Sequence, residues 1–213
     1  MGISLTPKQK KVLELIYSFV ENSGFSPSLA DLKNELNVAS NQAVLNFLNA
    51  LEEKGYIARE KGEIRSITIL PLGFKVLNRG PLVPMVGDSA AGPCIESFTE
   101  TNFKWLEIPP CVPNEIVKRS DDVFIIQVHG DSMINIGISD KDLLLINKTK
   151  EYKSGDVVVA RVDSGTTVKR FIAEGGKRYL KPENPAYEKI TIIPGEVEFV
   201  GKVILNLSKI NQQ

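Results

Sequence analysis

The sequence predicts an α+β protein of two domains, an N-terminal winged helix-turn-helix and a mostly-β C-terminal domain. Apolar residues recur at helical spacing from Val12 to Leu51. From about Leu82 onward the helical period is gone, and short β-branched runs separated by Gly, Pro, Asn and Asp replace it. Between them, residues 72–82 contain two glycines and a proline and hold no sustained period. The expected organisation is therefore a first domain over 1–71, a linker over 72–82 and a second domain over 83–213.

Thr6-Pro7 starts the first helix, a capping hydroxyl followed by proline in the first turn. Its apolar face is Val12, Leu13, Ile16, Phe19 and Val20, and Asn22-Ser23-Gly24 stops it. Ser28 with Asp31 resembles a capping box, and Leu29, Leu32 and Leu36 line a short second helix. Asn37 suits a tight turn because Asn tolerates positive φ. Ser40 caps the third helix, which buries Ala43, Val44, Phe47, Leu48 and Leu51 and ends at Gly55. Residues 56–60 and 64–69 then read as a hairpin around Lys61-Gly62.

Three helices and a hairpin place the third helix as a reader of the DNA major groove. Its exposed Ser40, Asn41, Gln42, Leu45, Asn46 and Asn49 are the candidate base contacts. Asn and Gln pair with adenine, and Leu touches a thymine methyl. Ser40 and Asn41 equally suit a phosphate at the helix N-terminus. Arg59, Lys61 and Arg65 on the hairpin are candidates for the DNA backbone. The competing reading is a protein-interaction module with an ordinary solvated helix face.

The second domain is read as strands at 123–128, 143–146, 157–162, 167–172, 178–181, 190–193 and 197–205, with turns at Gly137 and Gly155. This spacing suits a compact, partly closed β-domain.

Composition bounds the function. The chain has 213 residues, 42% hydrophobic and 24% charged, which excludes disordered and fibrous classes. It has 26 basic and 26 acidic side chains, so it does not coat nucleic acid by bulk charge. Residues 1–80 carry 10 Lys/Arg against 8 Asp/Glu, a weak local excess. No apolar run reaches the ~18 residues of a membrane span. The opening MGISLTPKQKKVLELIYSF lacks the order of a secretory signal, so a cytoplasmic protein is expected. Cys94 and Cys111 are too few for a disulfide scaffold, and no CxxC pair suggests zinc; neither metal nor cofactor is expected.

Two segments carry chemistry. Val128-His129-Gly130-Asp131-Ser132-Met133 places a serine just after a strand end, and Thr167-Val168-Lys169-Arg170-Phe171 places a lysine within a strand. Serine needs a base to act as a nucleophile. A lysine supplies one when burial lowers its pKa. Neither segment decides the matter, because strand lysines mostly face solvent and Gly-x-Ser is common in turns. His129 is the only histidine. It lies three residues before Ser132 on an extended strand, where local contact with the serine is disfavoured, and a structural role is expected. Val86–Pro93 is rich in small residues and threads easily into a narrow site; it also reads as plain linker.

Taken together, these segments resemble the LexA family of self-cleaving SOS repressors, nearly end to end. LTPKQKKVLELIYSFVENSGFSPS resembles the family's opening helix and LNFLNALEEKGYI the end of its recognition helix. VPMVGDSAAG, VHGDSM, DKDLLLINK, GDVVVARVD, TVKRF and LKPENPAY follow in family order, and AAG, GDSM and TVKRF jointly are highly specific. The resemblance implies a second domain of the LexA and signal-peptidase type. It implies Ser132 as nucleophile, Lys169 as base, an oxyanion hole from backbone N–H groups around Asp131 and Ser132, and a scissile bond at Ala91–Gly92. It also implies a homodimer through the C-terminal domain on double-stranded operator DNA, inactivated when a RecA filament on single-stranded DNA favours cleavage. Departures exist: Leu45 and Asn46 stand where family members carry acidic residues, Pro93 follows Gly92, and Cys94 replaces a usual proline. The alternatives are a prophage-type repressor controlling lysogeny and a turnover Ser-Lys protease acting on other proteins. The lack of a membrane segment and the internal Ala91–Gly92 site argue against the latter.

Overall fold

A computed structural model describes residues 4–60, 63–86, 104–109, 112, 122–163 and 165–212. The chain forms two compact units. The first comprises Met1–Leu82 and Thr101–Glu115, the second Val83–Glu100 and Ile116–Gln213.

In the first unit, helix α1 spans Pro7–Ser23, α2 Leu29–Leu36 and α3 Asn41–Glu53. Their starts follow the expected caps. Thr6 accepts from the Gln9 N–H and Ser28 from the Asp31 N–H, each within a reciprocal capping box, and Ser40 accepts from Ala43. Asn37 closes α2 at φ 49°. Val12, Leu13, Ile16, Leu32, Val44, Leu48 and Leu51 form the core. Tyr17 joins them, although its position falls outside the apolar pattern read from sequence.

The hairpin is shorter than expected. Only β1 (Ile57–Ala58) and β2 (Thr68–Ile69) pair, with Ile57 opposite Ile69. Beyond them the Ser66 hydroxyl accepts from the Glu60 N–H and donates to the Glu60 carbonyl. A side chain thus takes the place of the strand ladder. Arg65 at φ 63° bends the chain away from extended backbone.

The expectation of a linker over 72–82 is corrected in its first half. Pro71–Leu77 is a helix, α4, with proline in its first turn and Asn78 in the left-handed conformation after it. Phe74, Val76 and Leu77 pack on the helical core, and the Phe74 ring meets Tyr17 edge-on at 6.3 Å. Seven residues make two turns, too few for a period to show. Strand β4 (Lys104–Glu107) also belongs to this unit, and Trp105 packs against the helical core.

The second unit contains β3 (Leu82–Met85), β5 (Val123–Gln127), β6 (Leu143–Asn147), β7 (Val157–Val162), β8 (Gly165–Glu174), β9 (Lys177–Lys181), β10 (Ile190–Thr191) and β11 (Glu198–Asn206). Their order across the sheet is β10-β9-β8-β7-β11-β6-β5-β3. The β5–β6, β7–β8 and β8–β9 pairs are antiparallel, whereas β3 runs parallel to β5 with Met85 opposite Ile125. One core cluster holds Phe124, Val128, Met133, Ile138, Leu144, Ile146 and Val159. Another holds Val158, Ala160, Phe171 and Leu180. Gly137 and Gly155 take φ 78° and 100°, as turn glycines do.

Candidate active site and DNA-reading face

Ser132 and Lys169 are 37 residues apart in the chain and meet in the fold. The Lys169 Nζ lies 2.8 Å from the Ser132 Oγ. The serine sits on a tight turn after β5. Gly130 enters that turn at φ 88°, a conformation glycine adopts without strain. Met133, next to the serine, is buried at 2% exposure and anchors the turn in the core. A single 3₁₀ turn over Ile134–Ile136 follows.

Lys169 occupies the middle of β8, paired with Val158 of β7. It is one of three polar residues found buried among those described, at 7% exposure. Burial pushes its pKa below the usual lysine value, because desolvation penalises the ammonium. Its nitrogen also approaches Thr167 Oγ1 at 2.7 Å and the Val168 carbonyl at 3.1 Å. Residues i and i+2 of a strand share a face, which brings the Thr167 hydroxyl to the lysine tip. His129 is exposed.

A third segment, after β9, holds the serine turn and was given no role from sequence. The Glu183 N–H donates to the Ser132 carbonyl at 2.8 Å, and the Asn135 N–H donates to the Glu183 carbonyl at 3.1 Å. Asn184 Nδ2 reaches the Asp131 carbonyl and carboxylate, both at 3.2 Å. The Tyr187 hydroxyl donates to the Asp131 carboxylate at 2.5 Å, and this bond raises the Tyr187 pKa. Arg170 pairs with Glu183 at 2.5 Å and donates to the Gly155 carbonyl at 2.6 Å. The signal in the sequence is the polar cluster ENPAY at 183–187, whose partners Asp131 and Ser132 lie more than fifty residues upstream.

In the first unit a cleft of about 890 Å³ brings together Asn41, Gln42, Leu45, Asn49, Arg59 and Arg65. Asn46 is exposed and accepts from Gln42 at 3.1 Å. Ser40 is engaged as the α3 cap. Arg59 is held by Glu52 at 2.5 Å and donates to Asn49 at 2.7 Å, so much of its charge is offset locally. Arg65 lies 3.9 Å over the Phe25 ring and 4.0 Å from Asp31. Lys61, Ala91, Gly92, Cys94 and Cys111 lie outside the described residues. Among the described residues no cluster of His, Cys, Asp or Glu is arranged to hold a metal ion. No helix there is long and apolar enough to cross a membrane.

Residues 3–66 match the LexA DNA binding domain, and residues 84–204 match the Peptidase S24-like family. The LexA repressor of Geotalea uraniireducens is 37% identical over 201 residues, covering 93% of this chain and 94% of its own. That of Pseudothermotoga lettingae is 36% identical, covering 96% of each chain. That of Caldicellulosiruptor saccharolyticus is 34% identical, covering 96% and 97%. The chain belongs to the LexA family. Its LexA-type DNA-binding domain coincides with the helical part of the first unit, and its S24-like domain carries both Ser132 and Lys169. The expected α+β architecture holds.

Proposed function

We propose that this LexA-type repressor inactivates itself by cutting its own Ala91–Gly92 bond, with Ser132 as nucleophile and Lys169 as base. The observation that carries this is the 2.8 Å approach of a desolvated lysine to the serine. When Lys169 is neutral, its two N–H groups donate to Thr167 Oγ1 and the Val168 carbonyl. Its lone pair is then left for the Ser132 O–H. Ser132 Oγ attacks the Ala91 carbonyl carbon as its proton passes to Lys169. The oxyanion is met by backbone N–H groups around Asp131 and Ser132. The C–N bond breaks, and the Gly92 amine leaves with the proton from Lys169. Water then hydrolyses the acyl-enzyme, with Lys169 again as base.

Cleavage in cis suits the chain path. The Val86 N–H is bonded to the Ile125 carbonyl at 2.8 Å, and Val86 packs on the core that buries Met133. Five further residues span up to about 17 Å, so Ala91 lies within that distance of Val86.

In this reading the repressor binds operator DNA through α3 and the hairpin as a homodimer held by its C-terminal domains. Ser40, Asn41, Gln42, Leu45, Asn46 and Asn49 face the bases, and Arg59, Lys61 and Arg65 lie toward the backbone. Joining two half-site readers raises their effective concentration, and separation of the two halves after scission removes that gain. A RecA filament on single-stranded DNA triggers scission by binding the cleavable state more tightly than the resting one. This is the logic of the DNA-damage response, carried out in the cytoplasm on the nucleoid.

The test is self-cleavage of the purified chain across about pH 7 to 10. Lys169 is active when neutral, so the rate rises with pH, by about tenfold per unit, until its pKa is passed. Ser132→Ala and Lys169→Ala leave the chain intact on a gel and still bind DNA. A flat pH profile, or cutting by either variant, overturns the assignment.

A further inference from the structure

The first unit is built from two stretches of chain, and the proposed cut lies between them. Met1–Leu82 supplies the helices and hairpin, and Thr101–Glu115 returns to the same unit from beyond Gly92. The returning strand is seated by three kinds of contact. Trp105 packs on the helical core and lies against Gly24, where an added Cβ would fall 2.5 Å from its indole nitrogen. Ile108 is fully buried, and its N–H donates to the Pro81 carbonyl at 2.9 Å. Glu107 accepts from the Gly80 N–H at 2.6 Å and pairs with Arg79 at 3.4 Å.

Gly80 is the tightest point. A Cβ there would lie 1.7 Å from the Ile108 carbonyl oxygen, so only glycine lets the two backbones meet. The neighbourhood is tied to α1 as well. Tyr17 donates to the Gly80 carbonyl at 3.2 Å, and Arg79 stacks over the Tyr17 ring and pairs with Glu21. Backbone bonds, an ion pair and an aromatic anchor on one short strand are the marks of a specific docking site, not of incidental contact.

We propose that Lys104–Ile108 is a clasp that keeps the two fragments together after the Ala91–Gly92 bond is cut, so that release of the DNA-binding domain requires a separate undocking step. This rests on the cleavage site proposed above. Scission then yields a nicked assembly, and undocking of Trp105 and Ile108, together with release of β3 from β5, sets when the fragments part.

The experiment separates this from the chemistry. A full-length Ser132→Ala chain carries a recognition sequence for a site-specific protease in place of residues around Ala91–Gly92. It is cut with that protease and passed over a sizing column. The two fragments are expected to co-elute, with unchanged emission from Trp105, the single tryptophan of the chain. Gly80→Ala in the same background is expected to weaken the association by at least about tenfold and to shift Trp105 emission to the red. Trp105→Ala, outside the helices, is expected to separate the fragments as well while leaving the helical circular dichroism unchanged. Separation of the fragments in the parent protein overturns the clasp, as does co-elution in both variants. If the fragments stay together but the unmodified chain never cuts itself, the cleavage reading fails and the clasp stands.

Discussion

Lys169 has three acceptors around one nitrogen, and the consequence depends on its charge. As an ammonium it donates to all of them; as an amine it donates to two and accepts from the third. Thr167 therefore does more than fill space, because its hydroxyl helps decide where the lone pair points. Thr167→Val keeps the shape and removes the acceptor. Two effects of different sign follow. Loss of a hydrogen bond to the charged form lowers the Lys169 pKa further. Loss of orientation slows the proton transfer. The pH–rate profile of self-cleavage should shift to lower pH while its alkaline plateau falls by about tenfold. A plateau unchanged from the parent protein would remove Thr167 from the mechanism.

At the scale of elements, the segment 183–187 holds the Ser132 turn. It ties the Ser132 carbonyl through Glu183 and the Asp131 carboxylate through Asn184 and Tyr187. Tyr187→Phe removes one bond at an exposed site, so the global stability should change by about 1 kcal/mol or less. Self-cleavage should slow several-fold, the equivalent of about 1 kcal/mol. Its pH midpoint should stay in place, since Lys169 is untouched. A shifted midpoint would show that the tyrosine acts on the base instead. The same scale explains what was legible beforehand. Most strands from 123 onward were marked by β-branched residues between turn formers, although β9 (KRYLK) has none. Ser132 and Lys169 were marked by the resemblance of VHGDSM and TVKRF to the family, because a Gly-x-Ser turn and a strand lysine decide nothing by themselves. Helix α4 was hidden because seven residues show no period. The clamp was hidden because Asp131 and Tyr187 are far apart in sequence and each is an ordinary surface residue alone. Arg59 reads from sequence as a candidate for the DNA backbone, and only the fold shows Glu52 beside it.

The whole molecule divides into two units with separate cores. Leu48 is buried in the helical core, and Leu144 beneath the serine turn. Leu→Ala at either position costs about 2–5 kcal/mol. In scanning calorimetry, Leu48→Ala should lower one unfolding transition and Leu144→Ala another. A single transition moved equally by both would show that the cores unfold as one. The returning strand at Lys104–Glu107 was not legible from sequence. Its amphipathic pattern is four residues long, and only the fold reveals that it belongs with helices that lie far upstream in the chain.

The lysine and the segment that grips the serine turn belong to one continuous run of chain. Strand β8 carries Lys169, β9 turns back beside it, and residues 183–187 follow directly. By this argument, thermal distortion of that hairpin would carry Lys169 and Ser132 in the same direction. Their separation is protected as a common-mode displacement is cancelled in a differential measurement. If the chain acts once on its own backbone, as proposed, it gains from such a layout, because Ser132 and Lys169 then keep their spacing throughout the wait for a single substrate.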